Sequence, residues 1–184
     1  MKNCNPIKFM KGKRVYLRPV EREDLDFIYA AFWCEEGRRL TGTQTVYNRN
    51  SIQNWFETIS TDNSRIDLII CLEENNKPIG DITMMEIDHQ NQNAIVRISI
   101  FKKENWGKGY GTEAMSIFLD YGFNILNLHR VELEVFAFNP RAKKSYEKLG
   151  FKQEGIIRDK LFYDGQFHDA ILMGVLREEF NRVT

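Results

Sequence analysis

Proline, cysteine and histidine are scarce in this sequence, with four, three and three among 184 residues. Pro6, Pro19, Pro78 and Pro140 are scattered, and no Pro/Gly/Ser-rich stretch divides the chain. One domain is therefore expected over 11–180, with 1–10 as an N-terminal extension and 181–184 as a C-terminal tail. Cys4, Cys34 and Cys71 are odd in number and widely spaced, which fits neither a disulfide framework nor a zinc site. No metal is expected, and a reducing cytoplasm is the expected setting. Charge of one sign is missing too: 26 Lys and Arg balance 26 Asp and Glu. That balance argues against nucleic acid or an anionic membrane surface as partner, since both call for a basic excess. No apolar run approaches the ~20 residues that span a bilayer. The basic start, through Lys13, lacks the apolar centre of a secretion signal.

What is present is a hydrophobic content of 42%, enough for one core in a chain that buries roughly 70% of its unfolded surface. Lys13 to Pro19 reads as a strand, with Val15 and Leu17 on one face and Tyr16 on the other. Asp24 to Glu35 carries Leu25, Ile28, Tyr29 and Phe32 at helical spacing and is expected to end near Gly37, before a polar stretch from Arg38 to Asn50. Ser51 to Ile59 reads as a second amphipathic helix, capped by Asn50 or Ser51. The period then changes. Asp67 to Leu72, Pro78 to Ile87 and Ala94 to Phe101 are β-type runs joined by turn-rich segments, as in an antiparallel meander. A helix from Thr112 to Leu126, a strand from Arg130 to Phe138, a helix from Pro140 to Leu149 and a hairpin around Tyr163-Asp164-Gly165-Gln166 complete the chain. The order β-α-α-β-β-β-α-β-α-β-β describes an α+β domain in three layers, a mixed sheet with helices on both faces.

The densest chemical signal is Trp106-Gly107-Lys108-Gly109-Tyr110-Gly111-Thr112, between a strand and a helix. Alternating glycines let several N–H groups converge in one concavity, and the following helix adds its free N-terminal N–H groups and positive dipole end. Such a nest suits phosphate oxygens; the alternative is a tight strand-to-helix turn. The spacing matches neither a nucleotide P-loop nor the dinucleotide fingerprint. A second constellation starts at Asn139, whose short amide ends a strand. Pro140 opens a helix there, and Arg141, Lys143 and Lys144 crowd positive charge into its first turns. That charge opposes the helix dipole, so an anionic ligand nearby would relieve it; a solvated basic face is the alternative. Tyr146, further along, faces either the core or a cleft.

Together these segments resemble the GCN5-related N-acetyltransferases, and within them the RimJ/RimL-type branch of ribosomal-protein and polyamine N-acetyltransferases. The family's loop pattern, Gln/Arg-x-x-Gly-x-Gly/Ala, falls on Trp106, Gly109 and Gly111, with Trp106 departing from the first position. The motif Asn-x-x-Ala-x-x-x-Tyr-Glu-x-x-Gly-Phe falls on Asn139, Ala142, Tyr146, Glu147, Gly150 and Phe151 without a gap. The resemblance extends from about Lys11 to Phe180.

It implies a fold with a central pair of splayed parallel strands, Ala94 to Phe101 and Arg130 to Phe138, and acetyl-CoA in the gap between them. Backbone around Ile98, Ser99 and Ile100 would pair with the pantetheine, Trp106 to Thr112 would hold the diphosphate, and Asn139, Arg141 and Lys144 would hold the far side. The resemblance also implies Tyr146 as general acid to the leaving thiolate and Glu134 as general base. Glu86, Asp88 or a water chain are alternatives for the base, and an ordinary strand residue is the alternative for Glu134. Glu35 and Glu36, with Trp33, Trp55 and Phe56, fall on the acceptor side, and Glu86 is a further candidate contact there. The implied activity is N-acetylation of a primary amine, on a protein N-terminus or a small molecule such as a polyamine, by direct attack in a ternary complex. A non-catalytic CoA-binding sensor is the rival of another class. A homodimer is a further implication.

Overall fold

The structure, a computed structural model, describes residues 7–183; Cys4 lies outside them. In chain order the elements are β1 (Met10–Lys11), β2 (Val15–Pro19), α1 (Leu25–Ala31), α2 (Glu35–Thr41), α3 (Arg49–Ile59), β3 (Ile66–Leu72), β4 (Pro78–Asp88) and β5 (Asn93–Ile100). There follow α4 (Tyr110–Asn124), β6 (Arg130–Phe136), α5 (Pro140–Glu147), β7 (Lys152–Tyr163) and β8 (Gln166–Leu176). The strands form one sheet in the order β1-β2-β3-β4-β5-β6-β8-β7. Among the described residues every neighbouring pair is antiparallel except β5 and β6, which run parallel.

Strand alternation divides the core in two. Val15 and Leu17 on β2 face the layer of α4 and α5, where Ala114, Met115, Phe118 and Leu119 are buried with Leu133 and Met173. Tyr16, between them, faces the other layer and joins Ile28 of α1, Ile52 of α3, Ile69 and Cys71. The expected three-layer α+β architecture is therefore the observed one. The closing hairpin turns at Asp164 and Gly165, both at positive φ (51° and 77°). Two such residues make the turn whose twist matches that of the flanking strands.

One helix assignment is corrected. The helix expected from Asp24 to Glu35 is two helices, α1 ending at Ala31 and α2 starting at Glu35, so Gly37 lies inside α2 rather than at an end. The first part of the supposed polar stretch is thus helical. The break carries no proline; it is made by Cys34, whose Sγ accepts from the Gly37 N–H at 3.4 Å. Acidic Glu35 and Glu36 then fill the first turn of α2, and Arg38 and Arg39 the last, the arrangement the helix dipole favours. Gly42, at φ 66°, closes it. The cap of α3 also moves, to Asn48, whose Oδ1 accepts from Ser51 N at 2.9 Å.

Candidate active site

The single parallel junction opens the site. β5 and β6 pair over three positions, Asn93 with Arg130, Ala94 with Val131 and Ile95 with Glu132. Beyond these, β5 continues to Ile100 against β4 alone, and β6 continues to Phe136 against β8 alone. Phe101 N donates to Ile79 O across the β4 side, so by alternation the N–H and C=O groups of Ile98 and Ile100 point into the gap. Ser99 spends its backbone on β4, opposite Asp81, and contributes its side-chain face. The gap widens into a cleft of about 1010 Å³.

At the mouth, Gly107 and Gly109 adopt left-handed φ values of 71° and 82°. A Cβ on Gly107 would meet nothing within 4 Å, whereas one on Gly109 would come within 3.1 Å of the Arg14 guanidinium. Gly109 caps α4, and the first bond of that helix is Glu113 N to Gly109 O at 3.0 Å. The N–H groups of Tyr110, Gly111 and Thr112 are therefore left for an anion. Every residue of the predicted loop lines the cleft except Lys108, whose carbonyl instead accepts from Arg14 Nη1 at 2.8 Å. Trp106 does different work from a loop cation. Its indole Nε1 donates to Ile100 O at 2.6 Å, and the Arg141 guanidinium lies 4.6 Å from its ring centroid. It joins the end of β5 to the start of α5.

Asn139 caps α5: its Oδ1 accepts from Ala142 N at 3.2 Å, which leaves its amide NH₂ for a ligand. Arg141 and Lys144 line the cleft beside it. Tyr146 also lines it, half-buried and 5.9 Å from Phe151 between ring centroids. Burial pushes its phenol up to about 12, so the group is protonated at neutral pH. Gly150 explains the Gly-Phe end of the motif. It sits at φ 98°, and a Cβ there would be 2.1 Å from Glu179 O. The helix closes through Phe151 N to Tyr146 O at 3.2 Å and Gly150 N to Glu147 O at 3.1 Å.

Glu134 lines the cleft between buried Leu133 and Val135, hence on the opposite face of the sheet from α5. Lys160 Nζ lies 3.9 Å from its Oε1. Glu132 and Glu154, also lining, share Arg130 at 2.8 and 2.5 Å. Glu35, Glu36 and Glu86 are not brought to the cleft. Glu36 pairs with Lys103 at 3.0 Å, and Glu86 sits at positive φ (53°) where the β4–β5 register shifts. The part of α2 that does line it is Gly37, Leu40 and Thr41. The sequence reading missed these, as it missed Arg14, Arg130 and Glu154. Glu113, a lone carboxylate on the apolar side of α4, was missed as well. No group of His, Cys, Asp or Glu suited to a metal occurs among the described residues, and no helix there is long and apolar enough to cross a membrane.

A profile described as the acetyltransferase (GNAT) domain matches residues 14–152. Spermidine N(1)-acetyltransferase of Escherichia coli K12 is 30% identical over 175 residues, covering 90% of this chain and 88% of that one. The Vibrio cholerae enzyme of the same name is 30% identical over 178 residues, covering 92% and 96%. A crystal structure of the Vibrio cholerae enzyme with CoA and spermine aligns with a TM-score of 0.84 at 28% identity, covering 90% of this chain and 97% of that chain. The chain belongs to the GNAT acetyltransferase family, and it is an acetyl-CoA-dependent N-acetyltransferase acting on an amine.

Proposed function

We propose that this acetyltransferase acts on the primary amine of a linear polyamine of the spermidine type, in a ternary complex and without a covalent enzyme intermediate. The observation that carries the reading is the charge on the acceptor face of the cleft. Glu132, Glu134 and Glu154 stand there with three cations, Arg97, Arg130 and Lys160, of which Arg97 is paired with Asp81 at 3.5 Å. Arg130 is bound to two of the carboxylates and Lys160 lies 3.9 Å from the third, so Glu134 is the least neutralised carboxylate of the face and the one a cationic amine would meet. The similarity to two spermidine N-acetyltransferases over about nine-tenths of the chain supports the same class. Coverage of the cleft by Gly37, Leu40 and Thr41 favours a slender acceptor over a folded protein's N-terminus.

The proposed roles follow from the two faces. When bound, acetyl-CoA supplies an acyl group on a thiolate that can leave. The N–H groups of Tyr110, Gly111 and Thr112 hold its diphosphate, and the exposed backbone of Ile98 with the Ile100 N–H aligns its amide-bearing arm as an added strand, the Ile100 carbonyl being held by Trp106. Asn139, Arg141 and Lys144 flank that arm. On the acceptor face Glu134 takes the proton that the ammonium must lose before its nitrogen can attack, since such an amine has a pKa near about 10. As the C–N bond forms and the C–S bond breaks, the Tyr146 hydroxyl gives its proton to the departing sulfur, and the second proton that the nitrogen sheds in becoming an amide passes through solvent to restore the phenol. Neither Cys34, which caps α2, nor Cys71, buried beneath α1 and α3, lines the cleft. Their free thiols suit a cytoplasmic setting, and the balanced charge supports a partner other than nucleic acid or membrane. We propose a homodimer as the protein's assembly, which sedimentation would check.

Turnover of acetyl-CoA with spermidine, spermine, lysine and a short peptide bearing a free N-terminus tests the acceptor. Spermidine or spermine should give the highest kcat/KM, and preference for the peptide would replace this reading with protein N-terminal acetylation.

A further inference from the structure

Behind the glycine loop lies a set of contacts that the reaction scheme above does not use. Glu113, in the first turn of α4, is only 8% exposed. Its Oε1 accepts from the backbone N–H groups of Lys13 at 2.8 Å, Arg14 at 2.7 Å and Val15 at 3.3 Å. Its Oε2 accepts from Arg14 Nε at 2.9 Å. The same guanidinium reaches on to the loop, where Nη1 donates to Lys108 O at 2.8 Å. Its plane lies 5.2 Å from the Tyr110 ring centroid. Two glycines clear the way. A Cβ on Gly12 would fall 2.6 Å from Glu113 Oε1, and one on Gly109 would fall 3.1 Å from Arg14 Nη2.

The peptide geometry gives these contacts a consequence. In a trans peptide the C=O and the following N–H point in opposite directions. With the Lys108 carbonyl turned toward Arg14, the Gly109 N–H points away from it, and Gly109 lines the cleft whereas Lys108 does not. Lys108 stands between two left-handed glycines, and such a link rotates with little steric resistance. Something outside the loop must hold it, and Arg14 is the group in contact. Arg14 and Lys108 do not line the cleft themselves, so the effect is exerted through the peptide.

We infer that Arg14 and Glu113 are positioning residues for the cofactor's diphosphate: they lock the Lys108–Gly109 peptide so that its N–H joins the anion-binding set. The inference rests on the loop being the diphosphate site. The Arg14–Glu113 pair has a second effect in the same place. A carboxylate in the first turn would repel a diphosphate at the helix N-terminus, and the Arg14 cation cancels that charge.

The test compares acetyl-CoA with S-acetylpantetheine, which carries the thioester but no diphosphate. Wild-type protein should show much higher kcat/KM with acetyl-CoA. In Arg14→Ala the KM for acetyl-CoA should rise about 10- to 100-fold, the range for a lost hydrogen bond to a charged group, with kcat at saturation falling less than twofold. Activity with S-acetylpantetheine should change less than twofold. Arg14→Lys, whose single ammonium cannot serve both Lys108 O and Glu113, should recover only part of the loss. Glu113→Gln keeps an acceptor for the three backbone N–H groups but turns an amide toward Arg14, so it should move in the same direction. It carries the comparison if Arg14→Ala fails to fold. An equal loss with both donors, or an unchanged acetyl-CoA preference in the variants, would overturn the inference. Absence of that preference in the wild-type protein would instead remove the loop as the diphosphate site.

Discussion

Tyr146 and Glu134 border the same gap from opposite faces of the sheet. Tyr146 comes from α5, beside the core cluster of α4, and Glu134 alternates with buried Leu133 and Val135 so that it faces the layer of α1–α3. The gap exists because β5 and β6 stop pairing after Ile95 and Glu132. A group reaching the gap from one face thus meets a phenol, and a group reaching it from the other meets a carboxylate.

Replacing Tyr146 by Phe removes the proton donor and keeps the ring against Phe151. Turnover should fall by about 10²-fold or more, the usual worth of a general acid, while CoA affinity by calorimetry stays within twofold. Because burial holds the wild-type phenol near 12, the wild-type rate should show no loss assignable to this group until the pH nears that value. A Phe variant with undiminished kcat would end the acid assignment.

Glu134→Gln should lower the rate most at pH 7 and least near pH 10. Without a base the protein depends on amine that is already neutral, and that fraction grows as pH approaches the amine's own pKa of about 10. A deficit that is constant across pH would point to a role in holding the acceptor rather than in taking its proton.

Gly150→Ala should destabilise the fold by roughly 3 kcal/mol or more, because it combines a left-handed backbone with a Cβ against Glu179 O. Urea unfolding measures it. Residual activity should drop too, since Phe151 N closes the helix on Tyr146 O. A loss under about 1 kcal/mol would mean that the C-terminal segment moves aside.

The Glu113 carboxyl sits in a contest: burial raises its pKa, while the backbone N–H groups of Arg14 and Val15 and the Arg14 guanidinium lower it, and lowering wins. The stability it contributes is therefore complete above the unfolded value of about 4.3 and is lost as pH falls through the lower folded value. The gap in urea midpoint between wild type and Glu113→Gln should be widest near neutrality and shrink below about pH 4. A gap independent of pH would show that the ionised form contributes nothing.

The glycines of the loop and the Asn139 to Phe151 motif were readable because each answers a local demand: left-handed φ at Gly107, Gly109 and Gly150, a cap at Asn139, an unpaired first turn at Tyr110. The split between α1 and α2 escaped notice because a cysteine, rather than proline or glycine, supplies the new cap. The acceptor-side residues were harder. Glu35 and Glu36 were plausible by composition, yet α2 turns Gly37, Leu40 and Thr41 to the cleft, and which face a short helix presents depends on what it packs against.

Alternation and spacing pointed to the three-layer architecture and to the order of its main elements, apart from the short β1 and the split between α1 and α2, since periodicity and capping act over a few neighbouring residues. The family was implied by the resemblance of two motifs and shown by the comparisons. Tertiary structure alone decided that Arg14, 99 residues before Glu113, steers the Lys108 carbonyl, that Trp106 ties β5 to α5, and that Arg130 draws Glu132 and Glu154 to one wall. Those contacts are made only once α4 has packed back across the sheet onto β2, beside Arg14, and the sheet has brought β7 to within one strand of β6.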